Sequence, residues 1–590
     1  MKFGELAVEF QKIELTSLRN RKMEILAELI ARLEGEELKQ AIYLSLGRLG
    51  PLYDSLELNL AEKMAVRVVA WAMRVAEKKV WETYKEVGDL GNVVARLRDN
   101  KFTVHSSRFT VGEVYKELVK IAKDSGTGSQ ERKVRMLGRL LQNLDSLGAK
   151  YVVRLVVGRL RLGFSEMTVL DGLSFYLKKD KSLSRELEEI YQVAPDIGEL
   201  AKVVRLEGIE GARRKLGLEV GRPIMPALAQ RLRTADEMIE KMGRVVVEPK
   251  FDGQREQIHL YRFKNQGEQG LSLFEKEGGV RVQSFTRSLE DNTAMFPELE
   301  GAKKQIKAES VILDAEVVGF DKKTGKMVPF QVTMRRKRKY GIGKTSQELP
   351  VKFFVFDIMY KNGKSLIELP LVKRRQILRD TIKTGEVLVV DEGILTNQAD
   401  EIRSYHKEQL DKGLEGVMVK RAEGKYRPGR KGWNWVKFKE EEGRSGKLAD
   451  TLDCLVMGYY VGKGKRNKFG LGAFLVGIKN RDKWVTIAKI GTGLTDEEWR
   501  LLYQKVQAAK SHERARSYKV AKELEPDGWT SPEIVVEVSA DEITKSPIHT
   551  SGYALRFPRL VRFREDKRPE EVTTLTEVEE IRQASGEVLN

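Results

Sequence analysis

Apolar residues recur every three or four positions throughout the N-terminal part of the chain. The spacing is clearest in MEILAELIARL (23–33), VYKELVKIAK (114–123) and VRMLGRLLQNL (134–144). It places the apolar side chains on one face of an α-helix. Between residues 1 and 222 proline occurs at positions 51 and 195 alone, so few helix breaks are expected. We predict an all-α domain over residues 1–222.

Short apolar runs replace the helical spacing after the segment GRPIMP (221–226). They are RVVVE, EQIHLY, SVILDAEVVGF, VKFFVFDIMY, EGVMVK and NWVKFK, with turns rich in Gly, Asn and Lys between them. Such runs predict β-strands, whereas PLVKRRQILRDTI (370–382) has helical spacing. We therefore predict an α+β domain over residues 223–441.

The stretch GRSGKLAD (443–450) indicates a hinge, and a third pattern begins beyond it. The runs DCLVMGYYVG, GAFLVGIKN, KWVTIAKIG and EIVVEVSADEI follow one another with glycine-containing turns. Successive short strands of this kind are typical of a small β-barrel. The final TLTEVEEIRQAS predicts a terminal helix. We expect a β-barrel domain with a C-terminal helix over residues 442–590.

The 590-residue chain is strongly basic, with 106 Lys and Arg against 87 Asp and Glu and a formal net charge of +19. This excess indicates a polyanionic partner, nucleic acid first. A heavily charged surface, as in thermophilic proteins, is the alternative explanation. The single cysteine, Cys454, excludes disulfides within the chain and four-cysteine zinc sites. No run of 18 apolar residues occurs, so we expect a soluble, cytoplasmic protein that does not enter a membrane.

The strongest chemical signal is the motif Glu248-Pro-Lys250-Phe-Asp-Gly253-Gln-Arg255. Its lysine lies between two core-like strands and just before an Asp-Gly turn. An ordinary hairpin with an incidental lysine is the alternative. Further charges follow in apolar strands, and they would be costly to bury without partners. Asp314 and Glu316 face the same side of one strand, because side chains alternate along a strand.

The complete ordered set of motifs resembles the covalent nucleotidyltransferases. It comprises EPKFDGQREQIH, FTRSLEDNT, PFQVTMRRKRK, GLEGVMVKR, WNWVKFK and LRFPRLVRFREDKRPEE. Nearly the whole chain, including VVGRLRLGFSEMTVLDGL (156–173) in the helical part, is similar to archaeal ATP-dependent DNA ligases, which are close to the eukaryotic replicative ligase. The resemblance implies a helical DNA-binding domain, an adenylation domain and an OB-fold barrel.

The resemblance also implies the chemistry. A lysine takes AMP from ATP, the AMP passes to the 5′-phosphate at a nick, and the 3′-hydroxyl then seals the strand in replication, repair and recombination. Lys250 is the implied nucleophile, and lysine suits that role once its amine is deprotonated. Glu316 and Glu415 would hold Mg²⁺, with Mn²⁺ as a substitute. The implied nucleotide-binding residues are Glu248, Arg255, Arg287, Glu316, Phe356, Arg430, Lys431, Lys437, Lys439, Arg564 and Lys567.

For several of these residues the sequence also allows a structural role or a second candidate. Phe356 would stack on adenine, although the pattern alone indicates a core aromatic residue. Arg564 and Lys567 would close over the triphosphate in the first step, although a charged surface loop is the plain interpretation. Arg430 and Lys431 compete for one role near Lys437. The segment 262–283 is longer than the family pattern and indicates an extended hairpin.

We expect nicked duplex DNA to be contacted through its backbone. The candidate DNA-binding residues are Arg159, Arg161, Arg335, Arg336, Lys337, Arg338 and Lys339. Glycines flanking Arg159 and Arg161 allow close approach to a phosphate backbone, whereas a solvated loop is the usual interpretation of the 335–339 run. A sliding clamp is a candidate partner near Phe102, where a second aromatic residue is missing. A monomer associated with the nucleoid is expected.

Other functions share part of this pattern. An RNA ligase or an mRNA capping enzyme would use the same lysine, but the long helical region favours DNA. A non-catalytic DNA-binding protein would not need the complete set of motifs. NAD-dependent ligases carry a four-cysteine zinc module, which one cysteine cannot form. The sequence does not distinguish ATP from ADP or GTP as the nucleotide donor.

Overall fold

The computed structural model describes most of the chain. The described residues are 1–54, 56–58, 60–99, 109–232, 234–262, 279–328, 330–333, 336, 349–429, 432–438, 451–462, 470–492, 494–511 and 513–584. The hinge predicted at 443–450 and most of the extended hairpin predicted at 262–283 lie outside these ranges. The chain divides into two compact units, Met1–Phe438 and Lys439–Asn590.

The N-terminal part of the first unit is helical throughout its described residues, as its apolar spacing predicts. Its helices are α1 (Phe3–Glu14), α2 (Arg19–Arg32), α3 (Gly35–Ser45), α4 (Glu62–Met73), α5 (Glu77–Val87), α6 (Leu90–Asp99), α7 (Val111–Lys123), α8 (Ser129–Gln142), α9 (Ser146–Val156), α10 (Glu166–Lys178), α11 (Ser184–Val193) and α12 (Ile197–Lys215). Their apolar faces share one buried core. The side chain of Thr110 caps α7, together with Glu113.

The second part of the first unit combines two sheets with short helices. Its strands are β1 (Gln230–Arg231), β2 (Val245–Pro249), β3 (Gln254–Arg262), β4 (Val280–Thr286), β5 (Ser310–Gly319), β6 (Val351–Lys361), β7 (Lys364–Ser365), β8 (Leu388–Val390), β9 (Ile394–Thr396), β10 (Val417–Arg421) and β11 (Trp435–Phe438). Its helices are α13 (Ala235–Met242), α14 (Leu299–Ala302), α15 (Phe330–Thr333), α16 (Leu371–Thr381) and α17 (Ala399–Asp411). The mixture confirms the predicted α+β class.

The two sheets meet at the lysine motif. One sheet has the order β1-β11-β10-β2-β9, and the other has β4-β3-β5-β6-β7 with β8 beside β6. Strand β2 belongs to the first sheet and β3 to the second, so the turn that carries Lys250 crosses from one sheet to the other. Residues placed at this crossing can therefore receive partners from strands of both sheets.

The segment 217–231, which we call the joining segment, links the helical part to the α+β part and packs along β3. The N–H of Gly221 donates to Nδ1 of the buried His259 at 3.0 Å. Ile224 exchanges two hydrogen bonds with the side chain of Gln257, at 3.0 and 2.6 Å. The joining segment is therefore part of the α+β core.

The second unit is rich in β-structure. Its strands are β12 (Leu452–Val461), β13 (Leu471–Asn480), β14 (Lys483–Ile490), β15 (Lys510–Ser511), β16 (Tyr518–Lys519), β17 (Gly528–Thr530), β18 (Val535–Ser539), β19 (Glu542–Lys545), β20 (Tyr553–Arg556) and β21 (Arg559–Phe563), and its helices are α18 (Asp496–Ala508) and α19 (Leu575–Ala584). Strand β12 pairs with β13, β17 and β18, and these strands form a half-barrel. The β-rich class and the terminal helix are confirmed. In the described part of the chain, no helix is both long and apolar enough to cross a membrane.

Candidate active site

Lys250 directly follows β2, at the crossing between the two sheets. Its backbone N–H donates to the Gly416 carbonyl at 2.9 Å, and the Glu415 N–H donates to the Lys250 carbonyl at 3.2 Å. The Nζ of Lys250 lies 2.6 Å from Oε2 of Glu415, with the side chains 21% and 29% exposed. The predicted nucleophile and one predicted metal ligand are thus neighbours that solvent can reach.

The turn after Lys250 packs closely against β5. A Cβ atom at Gly253 would lie 2.3 Å from the carbonyl oxygen of Val317 and 2.8 Å from Cγ of Glu316. Side chains do not tolerate such approaches, so glycine is required here by space. This contact brings the lysine turn beside Glu316.

Glu316 is a carboxylate in an unfavourable position for its charge. Burial raises the pKa of Glu316 to about 7; Asp314 and Glu415 add to the rise, whereas Lys250 and Arg255 oppose it. Glu316 thus borders the lysine turn, and Glu415 contacts the lysine amine. The described residues contain no group of three or more His, Cys, Asp or Glu side chains able to hold a metal. The carboxylate pair fits a hard divalent cation that also binds phosphate oxygens.

Arg255 lies opposite Glu316 in the β3–β5 register. Its guanidinium donates to both oxygens of the fully buried Asp314, at 2.9 and 2.6 Å. It also donates to the Ala227 carbonyl at 2.5 Å. The Tyr426 hydroxyl donates to Asp314 at 2.9 Å and accepts the Ala227 N–H at 3.2 Å. The predicted phosphate donor is thus already held by a buried acid and the joining segment.

Glu248 lies two residues before Lys250 and is 1% exposed. Its carboxylate is paired with Arg375 on one oxygen and Lys420 on the other. Arg375 also donates to the Asp391 carbonyl at 2.7 Å. Burial raises the pKa of the Asp391 side chain, and the Glu248 carboxylate adds to that rise. Glu248 is therefore the centre of a buried ion cluster that has both signs of charge.

Phe356 is partly exposed on β6 and belongs to an aromatic pair. Its ring is edge-on to Trp435, with the centroids 5.9 Å apart. The Lys420 ammonium lies 4.2 Å from the Phe356 centroid and 4.4 Å from that of Trp435. The Arg255 guanidinium lies at 5.5 and 5.0 Å from the same two centroids. Aromatic rings and cations at these distances stabilise each other, so the pair is suited to a planar, electron-rich ligand.

Two further predicted donors lie on or directly after strands of the two sheets. Lys437 is on β11, opposite Met418 of β10, and its side chain is partly exposed. Arg287 directly follows β4 and is exposed. Both therefore have side chains that a ligand entering from solvent can meet.

Comparisons with known proteins agree with one another in all three parts of the chain. Three family profiles match: "DNA ligase N terminus" over residues 2–174, "ATP dependent DNA ligase domain" over 226–439 and "ATP dependent DNA ligase C terminal region" over 467–567. The "Probable DNA ligase" of Dictyoglomus turgidum is 43% identical, over 98% of this chain and 97% of its own. The DNA ligase of Caldivirga maquilingensis is 36% identical over the same shares.

The chain belongs to the ATP-dependent DNA ligase family. A solved structure named Pmar-Lig_PreS3 has the same fold, with a TM-score of 0.51 and 16% identity, over 95% of this chain and 99% of that one. The protein is thus an ATP-dependent DNA ligase with a helical N-terminal domain, a central adenylation domain and a β-rich C-terminal domain.

The ligase exposes Arg159 and Arg161 on the loop between α9 and α10. Arg161 has φ +62° and its Nε lies 3.2 Å from Asp89. The buried Lys22 donates to the carbonyls of Leu162 and Gly163, at 2.5 and 3.2 Å, and so anchors this loop to α2. The predicted DNA contacts are therefore on a fixed, outward-facing loop.

The prediction that Arg336 contacts DNA is wrong. Its side chain is 1% exposed and donates to both oxygens of Glu298, at 2.7 and 2.9 Å. It also donates to the Leu349 carbonyl at 3.1 Å. An arginine paired in this way stabilises the domain and is not accessible to a phosphate backbone. The other predicted positions Phe102, Arg335, Lys337, Arg338, Lys339, Arg430, Lys431 and Lys439 lie outside the described residues.

In the second unit, Arg564 and Lys567 share one carboxylate. Asp453, at the start of β12, accepts Arg564 Nη1 at 2.8 Å and Lys567 Nζ at 2.6 Å. Arg564 also pairs with Asp566 at 2.8 Å. The two cations predicted to act together are therefore neighbours on one surface of the unit.

Several residues of the site are absent from the sequence prediction. Tyr426 and Ala227 hold Arg255, Arg375 holds Glu248, and Trp435 pairs with Phe356. A buried ion pair joins Asp357 and Arg374 at 2.8 Å, and the Arg374 guanidinium lies 5.9 Å from the centroid of the Tyr426 ring. The sequence gives one indication of such residues: charges inside the apolar runs VKFFVFDIMY and PLVKRRQIL require partners of opposite charge when they are buried.

Proposed function

We propose that Lys250 carries out the covalent chemistry of this ligase. Its amine attacks the α-phosphorus of ATP, a P–N bond forms, and the bond to pyrophosphate breaks. The AMP then passes to the 5′-phosphate at a nick, which frees the lysine. The 3′-hydroxyl attacks that phosphate, a phosphodiester forms, and AMP leaves.

The observation that carries this proposal is the contact of 2.6 Å between Lys250 Nζ and Glu415. A lysine must lose its proton before it can attack. Glu415 is an acceptor within hydrogen-bonding distance, and its backbone pairs with that of Lys250. The backbone of Lys250 is therefore held by the main chain of the two residues just before β10.

Glu316 and Glu415 would hold Mg²⁺, with Mn²⁺ as a substitute. When bound, the ion neutralises charge on the phosphate oxygens and favours the departure of pyrophosphate. The raised pKa of Glu316, to about 7, supports this assignment, since a cation would relieve the burial of its charge.

The remaining assignments concern the nucleotide. Arg287 and Lys437 would donate to the phosphates, and Arg564 and Lys567 would orient pyrophosphate in the first step. Phe356 would stack on adenine, beside the cluster of Glu248. Arg255 would contribute positive charge to the phosphates while it remains paired with Asp314.

The substrate of the proposed reaction is nicked duplex DNA, in replication, repair and recombination. Arg159 and Arg161 would contact its backbone. Because that substrate is chromosomal, we expect the enzyme to act beside the nucleoid in the cytoplasm. A monomer and a clamp contact near Phe102 remain predictions, which size-exclusion chromatography with and without a clamp would test.

A labelling experiment tests the proposed function. The protein is incubated with α-labelled ATP, ADP or GTP, or with NAD labelled in its AMP moiety, and separated by denaturing electrophoresis. We expect the protein to become labelled with ATP and Mg²⁺ and to remain unlabelled when EDTA removes the metal. Addition of nicked DNA should release the label from the protein as the nick is sealed. Nicked RNA offered in parallel should remain unsealed. Protein that takes no label from ATP would contradict a covalent mechanism.

A further inference from the structure

Arg287 lies in a loop whose two ends are joined by main-chain and side-chain bonds. The N–H of Asn292, after the loop, donates to the Ser284 carbonyl in β4 at 3.0 Å. The Ser284 N–H donates to Thr293 Oγ1 at 2.9 Å. Within the loop, the Thr286 N–H donates to the Glu290 carbonyl at 2.9 Å. The segment 285–291, which begins with the last two residues of β4 and which we call the Arg287 loop, is therefore short and closed at its base.

Glu256 lies beneath this base and has no assigned role in the ligase reaction. It is on β3, 0% exposed, and pairs with Thr286 across the β3–β4 register. One carboxylate oxygen accepts Ser284 Oγ at 2.6 Å. The other accepts Asn292 Nδ2 at 2.7 Å and Gln254 Nε2 at 2.6 Å. Its carboxylate thus bridges the residue before the loop and the residue after it.

The bridge requires a carboxylate at position 256, because both of its oxygens accept hydrogen bonds. Its three donors in the described residues are neutral, namely one hydroxyl and two amides. Burial raises the pKa of Glu256 to about 7, and the three donors oppose that rise. A buried carboxylate held by neutral donors alone is unfavourable. A glutamine would present an NH₂ in place of one acceptor oxygen and would lose part of the bridge.

Arg287 is one residue beyond Thr286 and is exposed. Thr286 is paired with Glu256, and Glu256 follows Arg255 on β3. The negative charge of Glu316 also contributes to the raised pKa of Glu256. The loop thus begins beside the two residues that border the lysine turn, and its orientation decides where the Arg287 guanidinium lies.

We propose that Glu256 is a positioning residue for Arg287. Its carboxylate ties Ser284 to Asn292 and holds the loop so that the Arg287 guanidinium reaches the phosphates of ATP. This inference rests on the proposed role of Arg287 as a phosphate donor. Glu256 itself touches neither nucleotide nor metal.

A double-mutant cycle on the full chain tests the proposal, with the rate of self-adenylation and the KM for ATP as readouts. We expect Arg287→Ala to slow self-adenylation about 100-fold and Glu256→Gln about tenfold. Glu256→Gln should have almost no further effect in the Arg287→Ala background, because residues that act as a unit are not additive. Ser284→Ala keeps the carboxylate and removes one donor, so it should cause a smaller loss of the same kind.

Thr381→Val is the matched control, since it removes one buried side-chain hydrogen bond, to the Ile377 carbonyl, in the same domain. It should lower the melting temperature and leave both kinetic readouts unchanged. If Glu256→Gln slows adenylation equally in both backgrounds, Glu256 does not act through Arg287. An Arg287→Ala enzyme with unchanged adenylation would overturn both the role of Arg287 and this inference. If Glu256→Gln does not fold, Ser284→Ala is combined with Arg287→Ala in the same kind of cycle. Equal slowing by Ser284→Ala with and without Arg287 would then contradict the proposal.

Discussion

The side chains of Lys250 and Glu415 face each other at 2.6 Å, and the backbone of Lys250 forms two hydrogen bonds, one with Glu415 and one with Gly416. Lys250 directly follows β2 and Glu415 precedes β10, and these two strands are distant in sequence and adjacent in the sheet. The proposed nucleophile is thus held by main-chain hydrogen bonds as well as by its charged partner.

Lys250→Ala should abolish self-adenylation and the sealing of ordinary nicks, because no other amine occupies its position. DNA that already carries a 5′-adenylate should still be sealed, since that step needs no lysine nucleophile. Labelling with α-labelled ATP and gel assays on both substrates provide the measurement. Lys303→Ala, which breaks a surface pair with Glu300, is the control and should behave as wild type. Full ATP-dependent sealing by Lys250→Ala would contradict the mechanism.

Glu316 makes stability depend on pH in a predictable direction. Its pKa is about 7 in the fold against an ordinary 4.5, so the folded state favours the protonated acid. Below pH 4.5 Glu316 is protonated in both the folded and the unfolded state, and the free energy of unfolding is not reduced by its charge. As the pH rises from 4.5 towards 7, the unfolded state loses this proton more readily, and the free energy of unfolding falls. Glu316→Gln should therefore be more stable than wild type at pH 8, by about 1 to 3 kcal/mol, while losing activity.

Urea unfolding of both proteins without metal, at pH 5 and pH 8, measures this effect. The advantage of Glu316→Gln should shrink strongly at the lower pH. Added Mg²⁺ should stabilise wild type at pH 8 and have little effect on the variant. A variant less stable than wild type at pH 8 would show that the carboxylate is not under strain.

Arg564→Ala and Lys567→Ala should slow self-adenylation about tenfold or more, while the sealing of pre-adenylated DNA changes little. The reason is that pyrophosphate, their proposed partner, is present only in the first step. Single-turnover rates on each step give the comparison. Arg562→Ala serves as the control, because this neighbouring arginine is 62% exposed and pairs with Glu537. Equal losses in both steps would exclude a role confined to pyrophosphate.

Arg161→Ala should weaken binding to nicked DNA at every sequence, because the predicted contact is to the backbone. The slope of log K against log salt concentration should become less negative by about 0.9 for each phosphate contact removed. Fluorescence anisotropy at several salt concentrations, with an unreactive nick, measures both quantities. Arg185→Ala, on α11 and 88% exposed, is the control for a loss of charge alone. An unchanged slope for Arg161→Ala would remove the α9–α10 loop from the interface.

Much of the local structure follows from the sequence. The helical spacing in residues 23–33 and 134–144 and the apolar runs that became β5 and β6 each have a period that one type of element satisfies. The alternation along β5 also placed Asp314 and Glu316 on one face, where Arg255 meets both. The order of motifs identified the family before any contact was known.

Burial of individual charges could not be predicted in this way. Arg336 belongs to a run of five cations, which as a pattern is typical of a solvated surface, yet it is buried against Glu298. Arg255 was expected to face phosphate, yet Asp314, Tyr426 and the Ala227 carbonyl already hold it. Composition describes a segment, whereas the partner of a charge depends on what packs against it.

The sequence alone determined the type of most elements, the family and the identity of the candidate nucleophile, because these depend on local periodicity and on ordered motifs. The tertiary structure alone decided that Glu415 meets Lys250, that Ala227 of the joining segment supports Arg255, and that Glu256 bridges the Arg287 loop. Each of these contacts joins residues on separate strands or segments. Their physical cause is sheet register and close packing, which bring distant residues together and which no local pattern encodes.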